Sequence, residues 1–258
     1  MKILEAKITE EIKGLKGRIG LVIEIGEEQI QVNGLDVFQS ASLIKIPILI
    51  EALRRCEDGK MSESDPVPIG KEAIVGGSGV LQTLSPNALL TVKDLMTLMI
   101  IVSDNTATNL LIDLLGMNVI NRFMRQFGLT RTELNRKMMD FQAIEQGRDN
   151  YTSPLDIVQC LKWMTEGTVL SKDSQLIALE IMRNQQFKDK LPAQMDHNQV
   201  LVANKTGELP KVEHDCAVIQ YGAKTAFVSV LMDQLEDLHA GKQTLNKMGK
   251  HIYDYLVD

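Results

Sequence analysis

Ser42 and Lys45 stand three residues apart in "FQSASLIKIPILIEALRR", residues 38–55. On a helix, positions i and i+3 share a face, so this spacing brings a hydroxyl and an amine together at the first turn. A serine is a weak nucleophile until a base takes its proton. A lysine surrounded by Leu43, Ile44, Ile46 and Ile48 would lose solvation that favours its charged form, which lowers its pKa toward that role. Taken singly, the pattern also fits a capping serine and a lysine that lays its stem along apolar surface with its ammonium in water.

Two further stretches carry polar groups at breaks in apolar patterns. "IIVSDNTATNLL" sets Ser103, Asp104 and Asn105 between two helical periodicities, and "VANKTGELP" sets Lys205, Thr206 and Gly207 at the end of a predicted strand. Asp104 fits the role of a structural hydrogen-bonder. A glycine at position 207 would let a strand edge approach a ligand closely.

The elements that must position these groups follow from hydrophobic period. Ile3, Leu4, Ile8 and Ile12 repeat at helical spacing, and "KGRIGLVIEIGEEQIQVNG" follows as two β-rich runs split at Gly26-Glu27-Glu28. From residue 38 to about 190 the pattern is helical: Thr91 and Asp94 form a capping box, Ser153-Pro154 opens another helix, and Gly116 and Gly128 stop two more. β character returns in "QVLVANKTG", "CAVIQYG" and "TAFVSVLMD", and a last helix carries Leu245, Met248, Ile252 and Leu256. Strands at both ends with helices between predict an α/β (α+β) sandwich. One antiparallel sheet is built from both termini and flanked by the terminal helices, with an inserted all-helical lobe. The expected boundaries are 1–37 plus 195–258 for the α/β domain and 38–194 for the helical domain.

Composition narrows the partners. At 258 residues the chain is long enough for one sizeable core or two small ones, and a net charge of -6 leaves no basic footprint for nucleic acid. The apolar run "LIKIPILI" is interrupted by Lys45 and too short to span a bilayer, so no membrane partner is expected. "MKILEAKITEEIKGLKG" has acidic residues where a secretion signal needs an apolar stretch, which predicts a cytoplasmic chain as written, or a secreted one had a leader been trimmed. Cys56, Cys160 and Cys216 are scattered and read as small buried hydrophobes.

In this order, S-x-x-K, then S-D-N about sixty residues on, then K-T-G about a hundred beyond, the motifs resemble those of class A β-lactamases and related penicillin-binding serine hydrolases. The resemblance runs from Phe38, in F-x-x-A-S-x-x-K, through Lys205, and the helix-flanked sheet fits it too. It implies that Ser42 is the acylated nucleophile and that Lys45 helps activate it. Ser103 would relay a proton to the leaving nitrogen, and Asn105 would hold the substrate's side-chain amide and Lys45. Lys205 and Thr206 would face the substrate carboxylate. The backbone N–H groups of Ser42 and Glu208 would form the oxyanion hole. The implied partner is a small-molecule substrate, a β-lactam or related cyclic amide or ester, handled without cofactor or metal by a monomer or weak oligomer.

The chain departs from the family at two places. A family loop between an Arg and an R-D pair carries a glutamate that activates the water clearing the acyl-enzyme; Arg136 and Arg148-Asp149 resemble its ends. Aligned from Arg136, the base position falls on Met138; aligned instead on Thr132-Glu133-Leu134-Asn135, which is similar to E-x-E-L-N, it falls on Arg131. Neither accepts a proton. Asp140 and Glu145 are the loop carboxylates that could reach inward, an exposed loop carboxylate being the bland alternative. Impaired deacylation is therefore expected.

The second departure is one of charge. After K-T-G the family usually adds a cation, whereas "GELPKVEHDC" sets Glu208 and Glu213 alongside Lys211 and His214. Each uncompensated carboxylate near the site would oppose an anionic ligand by about 1 kcal/mol, roughly fivefold in affinity. A less anionic substrate is the expectation.

Other features carry less. "GGSGV", residues 76–80, reads as a turn lining the cleft, the four histidines do not cluster as metal ligands, and Met96, Met99, Met138 and Met139 read as core filler. Three readings follow: a hydrolase opening β-lactams through an acyl-Ser42, an esterase or D-Ala-type peptidase on the same fold, and a slow-turnover covalent penicillin binder.

Overall fold

In a computed structural model, which describes residues 1–85 and 88–258, the chain opens with helix α1 (Lys2–Ile12) and a hairpin of β1 (Arg18–Ile25) and β2 (Glu28–Val32). The short strand β3 (Phe38–Gln39) leads through a 3₁₀ turn, Ala41–Ile44, into α2 (Lys45–Glu57). Then come β4 (Pro66–Val67), β5 (Leu90–Thr91), α3 (Val92–Ile101), α4 (Asn105–Leu115), α5 (Met117–Gln126), α6 (Phe141–Glu145) and β6 (Tyr151–Thr152). Helices α7 (Pro154–Trp163) and α8 (Lys172–Arg183) precede the strands β7 (Leu201–Leu209), β8 (Val212–Tyr221) and β9 (Lys224–Asp233), and α9 (Leu238–Val257) ends the chain.

The five long strands form one antiparallel sheet in the order β2-β1-β9-β8-β7, so both termini build it and β7 lies at an edge. Alternation along the strands divides the core. Ala217 and Ile219 of β8, with Leu21, Val228 and Val230, pack under Leu4 and Ile8 of α1 and Leu245, Met248 and Ile252 of α9. Cys216 and Val218, with Val22 and Leu231, face the other way into a larger core that holds α2, α3, α4 and α7. Because the middle strands are buried on both faces, they read in sequence as near-continuous apolar runs.

The helix signals act where the sequence puts them. Thr91 and Asp94 close a reciprocal capping box on α3, Ser153 caps α7 with Pro154 in the first turn, and Gly116, at φ 84°, ends α4. Two features depart from an all-helical middle. The strand pairs β3–β6 and β4–β5 are two residues long, too short to show a period of two. Ser42 lies in the 3₁₀ turn ahead of α2 rather than inside an α-helix. Pro47, third in α2, stands where an N–H would lack a helical acceptor anyway, so the helix starts cleanly at Lys45. Among the described residues, no helix is long and apolar enough to cross a membrane.

Candidate active site

The turn carrying Ser42 is pinned on three sides. Ser40 N donates to Asn150 O over 2.8 Å, His214 Nε2 donates to Gln39 O over 2.8 Å, and Gly207 of β7 presses on Ala41. A Cβ added at Gly207 would stand 3.2 Å from Ala41 Cβ and 3.3 Å from His214 Cβ, so a side chain here would crowd the turn that carries Ser42. Ala41 itself sits at φ 45°, a left-handed conformation that costs a residue with a side chain and re-aims the next one. Ser42, like Ala41, is half-buried in a turn whose other members, Leu43 and Ile44, are fully buried.

Lys45 is wholly buried. Its Nζ contacts Ser103 O at 2.7 Å, Ser103 Oγ at 3.0 Å and Asn105 Oδ1 at 2.9 Å. Burial pushes its pKa well below the ordinary lysine value, nearby Lys205 adds repulsion, and Asp104 opposes both. A charged Lys45 donates all three bonds. A neutral one donates two and offers its lone pair.

Ser103 is held at φ 55° and is nearly buried between the two lysines, since Lys205 Nζ reaches the same Oγ at 3.1 Å. Its backbone is fixed by Asp104, the cap of α4. Asp104 Oδ1 accepts from Ala107 N, and Oδ2 accepts from Val80 N at 2.7 Å and Leu81 N at 2.8 Å. The glycine-rich stretch is thereby tied to the Ser103–Asn105 loop, and a Cβ at Gly79, φ 112°, would collide with the Asp104 carboxylate. Asn105 completes the tie with Nδ2 donating to Gly76 O and its own N–H to Ser78 O. Residues 76–80 thus form a turn held against the Ser103–Asn105 loop.

Lys205 lies on β7, fully buried, with Nζ also donating to Thr206 O at 2.8 Å. Burial lowers its pKa to about 8, with Asp215 pulling the other way. Glu208, the next residue after Gly207, is solvent-exposed at its side chain while its backbone continues the ladder opposite Glu213. Sequence reasoning missed Lys190. It sits in the loop after α8, fully buried, 2.9 Å from Glu208 Oε1 and 2.5 Å from Glu213 Oε2. No short-range pattern marks it, because its partners lie on a hairpin that begins more than ten residues later.

The loop from Arg136 to Asp149 closes as the resemblance implies: Arg136 Nε pairs with Asp149 Oδ1 at 2.7 Å, with both groups nearly buried. Arg131 lies outside that closure and is exposed, so the Arg136 register describes the loop. Met138 is then clamped by Asn109, whose Oδ1 accepts Met138 N at 2.8 Å and whose Nδ2 donates to Met138 O at 3.1 Å. Asp140 spends its Oδ1 capping α6 through Ala143 N, and Glu145 faces solvent. Lys45, Ser103, Asn105 and Lys205 are thus joined from separate elements through Lys45 and the Ser103 hydroxyl, with the Gly207 edge beside the turn that carries Ser42, and Met138 offers no proton-accepting group.

Residues 3–256 match the sequence profile of the beta-lactamase enzyme family. A β-lactamase of Rhodobacter capsulatus is 27% identical over 223 residues, covering 84% of this chain and 75% of that protein. The crystal structure of a β-lactamase from Sphaerobacter thermophilus superposes with a TM-score of 0.91 at 30% identity, covering 98% of this chain and 97% of that one. A variant of PBP-A, solved as its acyl-enzyme complex with penicillin G, gives 0.88 at 26% identity over 99% of this chain and 96% of that one.

Proposed function

The chain belongs to the beta-lactamase enzyme family, and on that premise we propose that it is a serine hydrolase that opens β-lactams through an acyl-Ser42 intermediate and clears that intermediate slowly. One observation carries the reading: a fully buried lysine, one turn from a half-exposed serine, shares the Ser103 hydroxyl with a second buried lysine.

In this reading a neutral Lys45 takes the Ser42 proton as Oγ attacks the carbonyl carbon. The oxyanion forms against the N–H groups of Ser42 and Glu208, which flank the place where Gly207 lies against Ala41. Collapse breaks the C–N bond, and Ser103 Oγ gives its proton to the departing nitrogen. The proton now on Lys45 refills Ser103 across their 3.0 Å contact, so the base returns neutral. The charge on Lys205, beside Ser103 and Thr206, holds the substrate carboxylate throughout.

Hydrolysis of the ester then needs a base for water, and Met138 offers none. The carboxylates of Asp140 and Glu145 are engaged at a helix cap and in solvent. This favours long-lived acylation and keeps the penicillin-binder reading in play, in line with the likeness to PBP-A captured with penicillin G. Intact mass after mixing with penicillin separates the cases. A lasting adduct of one acyl group per chain, lost in Ser42→Ala, supports the proposal. Persistent absence of an adduct together with unconsumed penicillin points to an esterase or peptidase on another acyl compound and overturns it.

A further inference from the structure

Gly207 is held from both faces of the sheet edge. One face lies against Ala41 and the His214 side chain. The other carries the ammonium of Lys190, because its ion-pair partners Glu208 and Glu213 are opposed across the β7–β8 ladder and alternate along it with Gly207 and His214. From there Lys190 Nζ donates to Gly207 O at 3.4 Å and to His214 O at 3.2 Å. Glu208 Oε1 at 2.9 Å and Glu213 Oε2 at 2.5 Å hold the cation in that place.

The backbone that delivers Lys190 is equally fixed. Asn246 Nδ2 of α9 donates to Lys190 O at 2.9 Å, and the next residue, Leu191, donates its N–H to Asp215 Oδ2 over 3.0 Å. The Leu191 carbonyl packs so closely on α9 that a Cβ added at Gly249 would stand 1.9 Å from its oxygen. A wholly buried ammonium is costly unless it is paired and hydrogen-bonded. Pairing of the hairpin does not call for it, since β7 and β8 are already in register over nine residue pairs.

The Gly207 carbonyl and the Glu208 N–H belong to one trans peptide, so they point in opposite directions. Gly207 O turns toward β8, where it shares Lys190 with His214 O. Among the described residues β7 has no strand on its other side, so the Glu208 N–H turns off the free edge of the sheet. That is the N–H which the proposed function sets against the oxyanion. A cation at the carbonyl end of a peptide draws electron density toward oxygen, makes the N–H a stronger donor and holds the peptide plane against rotation. Resting on the acyl-Ser42 reading, we infer that Lys190 is a positioning residue for the oxyanion hole: it orients and polarises the 207–208 peptide from behind the strand without touching substrate.

The carbonyl stretch of the acyl-enzyme reads this directly, because strong donors at the oxyanion position lower its frequency. Penicillin G labelled with carbon-13 at the β-lactam carbonyl gives that band by difference infrared spectroscopy in wild type, Lys190→Met, Lys190→Met/Glu213→Gln and Leu245→Ala. The double variant also removes the carboxylate left uncompensated in the single one. Leu245 is buried under α9 in the core on that side of the sheet, so Leu245→Ala loses stability without touching the 207–208 peptide. The band should move to higher frequency in both Lys190 variants and stay in place in Leu245→Ala. Acylation of the Lys190 variants should be slowed about tenfold, less than for outright loss of an oxyanion donor. A wild-type band in the double variant, or an equal shift in Leu245→Ala, overturns the role of Lys190 and leaves the acyl-Ser42 reading standing. A double variant unfolded by circular dichroism assigns Lys190 to the fold and overturns the role as well. No acyl adduct on wild type overturns both.

Discussion

Gln39 Nε2 donates a 2.8 Å hydrogen bond to Asp149 Oδ2, so the residue three before Ser42 is joined to the ion pair that closes the loop. The other oxygen, Oδ1, takes Arg136 Nε at 2.7 Å and Asn150 N at 2.8 Å, and the Gln39 carbonyl is held by His214. Sheet, loop and the turn carrying Ser42 thus meet at one residue, Gln39.

Removing the arginine from this junction leaves a nearly buried carboxylate without its cation. Arg136→Ala should lower unfolding free energy by about 3 kcal/mol, and Gln39→Met, which removes a single hydrogen bond to a charged group, by about 1.5–2 kcal/mol. Urea unfolding read by fluorescence and circular dichroism checks both. Equal, small losses would mean that the loop contributes little to the cooperative fold.

Acylation should show a bell-shaped dependence on pH. On the acid side activity is lost when Lys45 gains a proton, and its lowered pKa puts that limb below the ordinary lysine range. On the basic side the cation at Lys205 is lost as pH rises through about 8, weakening the hold on a substrate carboxylate. Burst rates of a chromogenic cephalosporin from pH 5 to 10 test this. Lys45→Ala should slow the burst by ~10²-fold or more and abolish the acid limb. A limb that persists in that variant assigns it to another group.

Turnover should respond to Met138, the loop residue that the Arg136 register sets where the family carries its base. Because Asn109 fixes the backbone of Met138 from both sides, a carboxylate there would be held in place rather than left on a mobile loop. Met138→Glu is expected to speed deacylation by ~10²-fold, with the burst amplitude near one equivalent in wild type and lost in the variant. Release of labelled penicilloate from the isolated acyl-enzyme gives the rate directly, and an unchanged rate would refute the role of this position.

Stability should carry the mark of His214. Burial holds its pKa near 4, against about 6.5 in an unfolded chain. Above pH 6.5 neither state binds this proton and the full contribution of the neutral imidazole is present. As pH falls from 6.5 to 4 the unfolded chain takes up a proton that the native state refuses, and about 3 kcal/mol is lost. Asp215, raised to about 7 by burial, has the opposite sign: its contribution is complete below about 4 and lost as pH rises to 7. Wild type should therefore show little net slope from these two groups between pH 4 and 6.5, whereas in His214→Asn stability should fall as pH rises over that interval. Denaturant midpoints at several pH values decide it; parallel profiles would show that His214 is not buried in its neutral form.

Periodicity and caps in the sequence determined the sheet built from both ends and the starts of α3 and α7, because each of those signals lies within one turn or one strand, and motif order marked Ser42, Lys45, Ser103, Asn105 and Lys205 as a candidate set. The register of the loop did not follow from it: Met138 and Arg131 stood as alternatives until Arg136 met Asp149 and Asn109 clasped Met138. Nor could spacing reveal that Ser103 Oγ lies between two lysines, or that Lys190 is buried between Glu208 and Glu213. Those relations join residues brought together only by packing. Burial, which sets the direction in which Lys45, His214 and Asp215 shift, depends on what the rest of the chain lays over them.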